Sequence, residues 1–294
     1  METAVEAKAV FGTVSPNSKH LLLLADGFNS ENIGTFEQAV CDFSERVKTS
    51  GWYGDYGGLC VWSAPLLTPN SGRRLFVCPS VQNPAPPPWT QFEAAYSDSD
   101  GTCDYLAGSD SLVLGAVKQI QFPATVTPHK TLVIVNYGLF GGGKQSGSVA
   151  WTSLAPGLFE STGLHELGHL LGLSDEYEQP CDDPEGSSGD LCLPNISSSP
   201  VMPRWKPLFS PTGLPTYVVK KKSKKPCEAS LKPKLRPAVG AWQGGYSTHR
   251  RYYRPSENCR MRVVTDDFCA VCTEFLRWRL LPGGSPNPLN GGCA

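Results

Sequence analysis

Leu21-Leu22-Leu23-Leu24-Ala25 is an unbroken apolar run closed by Asp26-Gly27, the pattern of a strand buried on both faces. From Ser30 to Lys48, apolar residues Ile33, Phe36, Val40, Phe43 and Val47 recur at three- and four-residue spacing, which predicts a helix with one apolar face. Leu59-Cys60-Val61-Trp62 predicts a second short strand, and a Pro-rich, Cys-containing loop follows from Pro79 to Pro88. Asp110 reads as the cap of a helix running to about Gln119, and Thr131-Leu132-Val133-Ile134-Val135-Asn136 is the clearest buried strand in the chain. A glycine-rich loop from Gly138 to Ser148 leads into Val149-Ala150-Trp151-Thr152, expected to be an edge strand. Next comes a helix from about Leu158 to Leu171. Strands alternating with helices imply an α/β layer structure, here a twisted mixed sheet.

Beyond residue 175 the pattern weakens. An acidic loop carries Cys181 and Cys192, and Pro194 to Pro237 is rich in Pro and Lys with no period, which suggests an irregular C-terminal subdomain. A last helix is predicted over Phe268 to Leu280, with a mobile tail from Pro282 to Ala294. The expected division is an N-terminal α/β subdomain over 1–175 and a C-terminal subdomain over 176–294. No solenoid-type repeat is present.

Composition narrows the class. Gly and Pro fill 30 and 26 of 294 positions while charged residues are 18%, which suits a loop-rich globular protein with short elements. Acidic and basic residues nearly balance, 27 against 26, so no global field favours nucleic acid or an anionic membrane. The longest apolar run is far below the ~20 residues of a membrane span. Eleven cysteines suggest disulfides and an oxidising, extracellular location, the odd number leaving at least one thiol unpaired. Met1 to Val10 lack the basic-then-apolar pattern of a secretory signal, so the expectation is a secreted protein whose signal is not part of this sequence.

The chemistry concentrates in His165-Glu166-Leu167-Gly168-His169. Histidines four residues apart share one face of a helix and direct nitrogens at a single Zn²⁺. Glu166 is turned from that face by about 100°, too far for a natural ligand but placed to take a proton from a metal-bound water. Peptide hydrolysis then needs no nucleophilic side chain, because Glu166 acts as base and afterwards delivers the proton to the leaving amine. Gly172 stands where a helix ending in a left-handed residue stops, and the turn brings Asp175 back toward the metal. The pattern His-Glu-x-x-His-x-x-Gly-x-x-Asp is that of the metzincins with aspartate as third ligand, so Asp175 is the choice, with Glu176 and His249 as rivals. Metzincins also place a methionine in a tight turn beneath the metal, for which Met261 is the candidate.

The sequence resembles the IgA-peptidase family of metallopeptidases, which is metzincin-like. The resemblance rests on Leu22 to Phe28, Val133 to Asn136 with its glycine loop, and His165 to Tyr177. It continues through Tyr253-Arg254-Pro255, Asn258-Cys259-Arg260-Met261-Arg262 and Phe268-Cys269-Ala270-Val271-Cys272. It implies a secreted zinc peptidase with His165 and His169 as ligands and Glu166 as base. Family members often carry one more residue between the second histidine and Asp-Glu-Tyr. Immunoglobulin cleavage belongs to a few members and nothing in this chain encodes it.

Plainer readings stand beside these. The two histidines are otherwise a polar pair on a core helix, expensive to bury among Leu164, Leu167, Leu170 and Leu171. Asp175 is otherwise a turn residue, Met261 core filler, and Tyr177 and Tyr253 structural tyrosines near turns. Cys269-x-x-Cys272 suggests redox chemistry or a second zinc, but it lacks a matching pair at zinc-ribbon spacing, so a disulfide with Cys259 nearby is the expectation. Lys220 to Lys225 reads as a solvated loop, and the acidic run Asp175, Glu176, Glu178, Asp182, Asp183 lacks EF-hand spacing, so no calcium is expected. The function expected is a zinc endopeptidase on a protein or peptide substrate, held along Val149 to Thr152 by strand addition. The alternatives are a zinc hydrolase of another amide or ester, or a catalytically silent secreted binding protein.

Overall fold

A computed structural model describes residues 5–54, 58–69, 73–77, 86–97, 105–123, 126–144, 147–178, 191–209, 214–216, 238–281 and 289. The loop from Pro79 to Pro88, the stretch from Pro194 to Pro237, Lys220 to Lys225, Cys181, Asp182, Asp183 and the tail from Pro282 therefore lie wholly or largely outside the described residues, as does the side chain of His249. The chain divides into two compact units, residues 1–170 and 171–294.

The first unit is a mixed α/β layer around an eight-stranded sheet. Its elements in chain order are β1 (Lys8–Phe11), β2 (Lys19–Asp26), α1 (Ile33–Lys48), β3 (Leu59–Ala64), β4 (Arg73–Arg74), β5 (Trp89–Thr90), β6 (Ala95–Ser97) and β7 (Tyr105–Ala107). These are followed by α2 (Asp110–Val117), β8 (Lys130–Val135), β9 (Gly142–Lys144), β10 (Val149–Ser153) and α3 (Phe159–Leu171). The sheet runs β1-β3-β2-β8-β10-β9-β7-β6, and β4 pairs with β5 apart from it.

Its centre, β3-β2-β8-β10, is parallel, with Leu22 opposite Trp62 on one side and Thr131 on the other, and Trp151 opposite Val133. Parallel strands need cover on both faces, which explains why β2 and β8 are continuous apolar runs rather than alternating ones. Leu22, Leu24, Trp62, Val133, Val135 and Trp151 join Val113 of α2 in one core cluster. Leu21, Leu23, Val61, Leu132 and Ile134, of opposite parity, are equally buried. On that side a Cβ added at Gly163 of α3 would meet Phe43 of α1 at 2.9 Å and Leu132 of β8 at 3.7 Å. The helical face predicted for α1 is the one buried, through Phe36, Val40, Phe43 and Val47.

Strand β10 is not an edge. It pairs in parallel with β8 and antiparallel with β9, Thr152 opposite Gly142, so both its hydrogen-bonding sides are taken. The expected addition of a substrate strand to Val149–Thr152 is thus corrected: the glycine loop doubles back as β9 and occupies the place.

The second unit contains α4 (Lys206–Phe209), a hairpin of β11 (Trp242–Gly245) and β12 (Thr248–Arg254), and α5 (Ala270–Leu280). The hairpin closes on Tyr246 and Ser247, both at φ 53°, a two-residue turn whose twist matches that of the strands. No helix among the described residues is long and apolar enough to cross a membrane.

Candidate metal centre

Helix α3 carries two interior glycines, each about 1 kcal/mol less favourable than alanine, so packing must hold it in place. Leu164, Leu167 and Leu170 are no more than 2% exposed, and Gly163 admits Phe43 closely. Thr162 at the first turn donates its hydroxyl to the Leu158 carbonyl, 2.9 Å away.

One turn apart, His165 and His169 bring their Nε2 atoms to 3.1 Å, with rings perpendicular and centroids 4.7 Å apart. Two nitrogens bound to one tetrahedral ion at 2.0–2.1 Å would stand about 3.3 Å apart, so the pair is already converged on a common point. His165 and His169 lie on α3, and Asp175 follows four residues beyond its end. Two imidazoles and a carboxylate make a donor set suited to a borderline divalent metal.

Glu166 is buried on the neighbouring face of the helix. Sequence reasoning did not foresee what lies against it: a Cβ at Gly142 of β9 would stand 2.6 Å from Glu166 Oε1 and 2.7 Å from Thr162 Cγ2. The carboxylate therefore has its place only because residue 142 lacks a side chain. The signal available was the glycine-rich loop itself.

Gly172 takes φ 112° directly after α3, as a helix-terminating glycine does. The backbone beyond it is held from within the second unit. Tyr246 N–H donates to the Asp175 carbonyl at 2.9 Å, Ser247 N–H to the Tyr177 carbonyl at 3.2 Å, and Glu176 N–H to the Met261 carbonyl at 2.7 Å. Met261 is fully buried, while Tyr177 is exposed.

Glu176, the rival ligand, faces elsewhere. Its Oε1 accepts from Asn195 Nδ2 at 3.0 Å and from Cys272 Sγ at 3.1 Å, and burial raises its pKa well above the ordinary carboxylate range. Glu178, in the acidic run, pairs with Arg254 at 2.7 Å and Arg262 at 3.1 Å. His20 and His129, outside the motif, need no metal to explain them. His20 accepts from Trp62 Nε1 at Nδ1 and meets the Ser15 carbonyl at Nε2, and His129 stacks on it at 6.0 Å.

The expected disulfide use of Cys259 with the Cys269-x-x-Cys272 pair is corrected. All three are free thiols, and Cys259 Sγ lies 3.7 Å from Cys272 Sγ, against about 2.05 Å for a bond. Cys192, by contrast, is in a disulfide.

The family model described as IgA Peptidase M64 matches residues 218–278. That stretch holds the β11–β12 hairpin, Met261 and the three free cysteines, and excludes the histidine motif. The match supports an assignment to the IgA-peptidase family of metallopeptidases, the resemblance already carried by the motifs, and with it a hydrolase acting on protein or peptide. No curated protein matches the chain.

Proposed function

We propose that the chain is a secreted, metzincin-like zinc endopeptidase whose metal is held by His165, His169 and Asp175 and whose general base is Glu166. The observation that carries this reading is the 3.1 Å approach of the two histidine Nε2 atoms on one turn of a buried helix, with a carboxylate at the intervening position 166. Two imidazole nitrogens converged on one point, with a carboxylate beside them, form a donor pair suited to a metal ion.

Zinc bound at this donor set supplies Lewis acidity toward the scissile carbonyl and lowers the pKa of water at the site to about 7. Glu166 takes the proton of the attacking water and later gives it to the departing amine, so the peptide nitrogen leaves as a neutral amine. Burial keeps the Glu166 carboxylate away from bulk water, and the bare backbone at Gly142 leaves it room to take up the proton-accepting position. The water oxygen bonds to the carbonyl carbon and the C–N bond breaks, while the proton held by Glu166 passes to the nitrogen.

The test is casein hydrolysis by the wild type, with and without phenanthroline, beside Glu166→Ala. Loss of at least about 100-fold in activity is expected in both, with the variant retaining near one zinc per chain at the histidines. Hydrolysis unaffected by chelator and by the substitution would end the peptidase reading. Zinc bound without hydrolysis of casein or of simple esters by the wild type would leave only a binding role.

A further inference from the structure

In the second unit, Glu176, Cys259, Cys269 and Cys272 each offer one ligand atom, and all four atoms lie within 4.8 Å of one another. Glu176, Cys259 and Cys272 are fully buried, and Cys269 is 9% exposed. Nothing in the proposed hydrolysis uses these groups. We propose that they form a second, structural metal site, three thiolates and one carboxylate closed around a single zinc ion.

The geometry argues for metal over a covalent bridge. Sulfurs bound to one tetrahedral zinc at about 2.3 Å stand about 3.8 Å apart, and the Cys259–Cys272 separation is 3.7 Å. The carboxylate closes the fourth corner, with Glu176 Oε1 at 3.1 Å from Cys272 Sγ. Its second oxygen, Oε2, is buried with no hydrogen-bond partner among the described residues. An unsatisfied oxygen on a buried carboxylate is unfavourable, and bidentate coordination or a shifted carboxylate removes that penalty.

The scaffold is also that of a thiolate site. Cys269 stands at the N-cap of α5 with Cys272 in its first turn, and the Cys269 N–H points at Cys259 Sγ at 3.4 Å. Three thiols cannot all pair with one another, and a single disulfide would strand the third beside a buried carboxylate. Four protein ligands with no open position make the site structural rather than catalytic, and soft sulfur donors select zinc over calcium or magnesium. Binding displaces the thiol protons to solvent. Its effect is to pin Glu176, the neighbour of Asp175, to the segment that carries Met261.

The experiment uses the full chain, purified under reducing conditions, with the metal exchanged for cobalt(II). Thiolate ligands give a near-ultraviolet sulfur-to-cobalt charge-transfer band that histidine and carboxylate ligands do not. The band is expected in the wild type and, undiminished, in a His165→Ala/His169→Ala variant, which keeps about one of about two metal ions per chain. It should vanish in Cys269→Ser/Cys272→Ser and shift in Glu176→Gln. Should the cysteine variant fail to fold, the histidine variant decides alone. Folded histidine variant with no bound metal, or a disulfide between any two of the three cysteines in native peptide maps, overturns the proposal. Because the band reports only sulfur, its absence alongside intact hydrolysis separates this failure from failure of the peptidase reading.

Discussion

Asp26 ends β2 with Oδ1 accepting the Gln91 N–H at 2.8 Å, while Oδ2 has no hydrogen-bond partner among the described residues. Burial disfavours its anion more than these bonds favour it, and its pKa is pushed up to about 7 from 3.8. The folded state therefore holds a proton that the unfolded chain releases above about pH 4. The stabilisation is fully present below the unfolded value and is lost as pH rises through 7. Asp26→Asn, which cannot ionise, should gain stability on the wild type between pH 4 and 8, by at most ~4 kcal/mol. Parallel urea midpoints for the two proteins across that range would sink the idea. Glu178 has the opposite sign. Burial alone would raise its pKa, but Arg254 and Arg262 outweigh burial and hold it below 4.5. Its contribution is present above 4.5 and fades as pH falls through the lower folded value. Arg254 is 2% exposed, so Glu178→Gln leaves a buried cation uncompensated and should cost about 3 kcal/mol at pH 7. The loss should shrink toward pH 3, read from urea unfolding at the two pH values.

At the scale of elements, β9 meets α3 where Gly142 faces Glu166. Gly142→Ala would set a methyl 2.6 Å from Glu166 Oε1, forcing the carboxylate or the strand aside. A displacement of that size should lower kcat roughly 10- to 100-fold with metal content and melting temperature little changed. Gly138→Ala, with open space around the added methyl, should behave as wild type, and equal kcat in both variants would remove Gly142 from the site. The long elements were legible because burial writes itself as period: β2 and β8 as apolar runs, α1 as Phe36, Val40, Phe43 and Val47, α3 as leucines around the two histidines. Strand β9 was not. Gly-Gly-Lys has no hydrophobic alternation, and without β9 the strand beside it reads as an edge. The cysteine group was hidden for another reason. Its carboxylate lies 96 residues from Cys272, so no local spacing announces the fourth corner.

For the whole molecule, two separate stretches point to one chemistry. The histidine motif lies on α3 and the family match begins at residue 218, so neither contributes to the other. With 27 acidic against 26 basic residues the chain carries almost no net field, and recognition of substrate must come from shape and local groups near the metal. The metal itself then bears on the fold. An ion bound only by the native state stabilises it by mass action, about 4 kcal/mol when present at 1,000 times its dissociation constant. At roughly 2–4 °C per kcal/mol for a chain of this size, stripping metal should lower the melting temperature by about 10 °C. Returning zinc should restore both melting temperature and casein hydrolysis. The measurement is calorimetry on metal-free and reconstituted protein, with metal counted in each sample. A melting temperature unmoved after complete removal would mean that the histidines and their carboxylate hold their positions with no ion to order them, contrary to a site that a bound metal holds together.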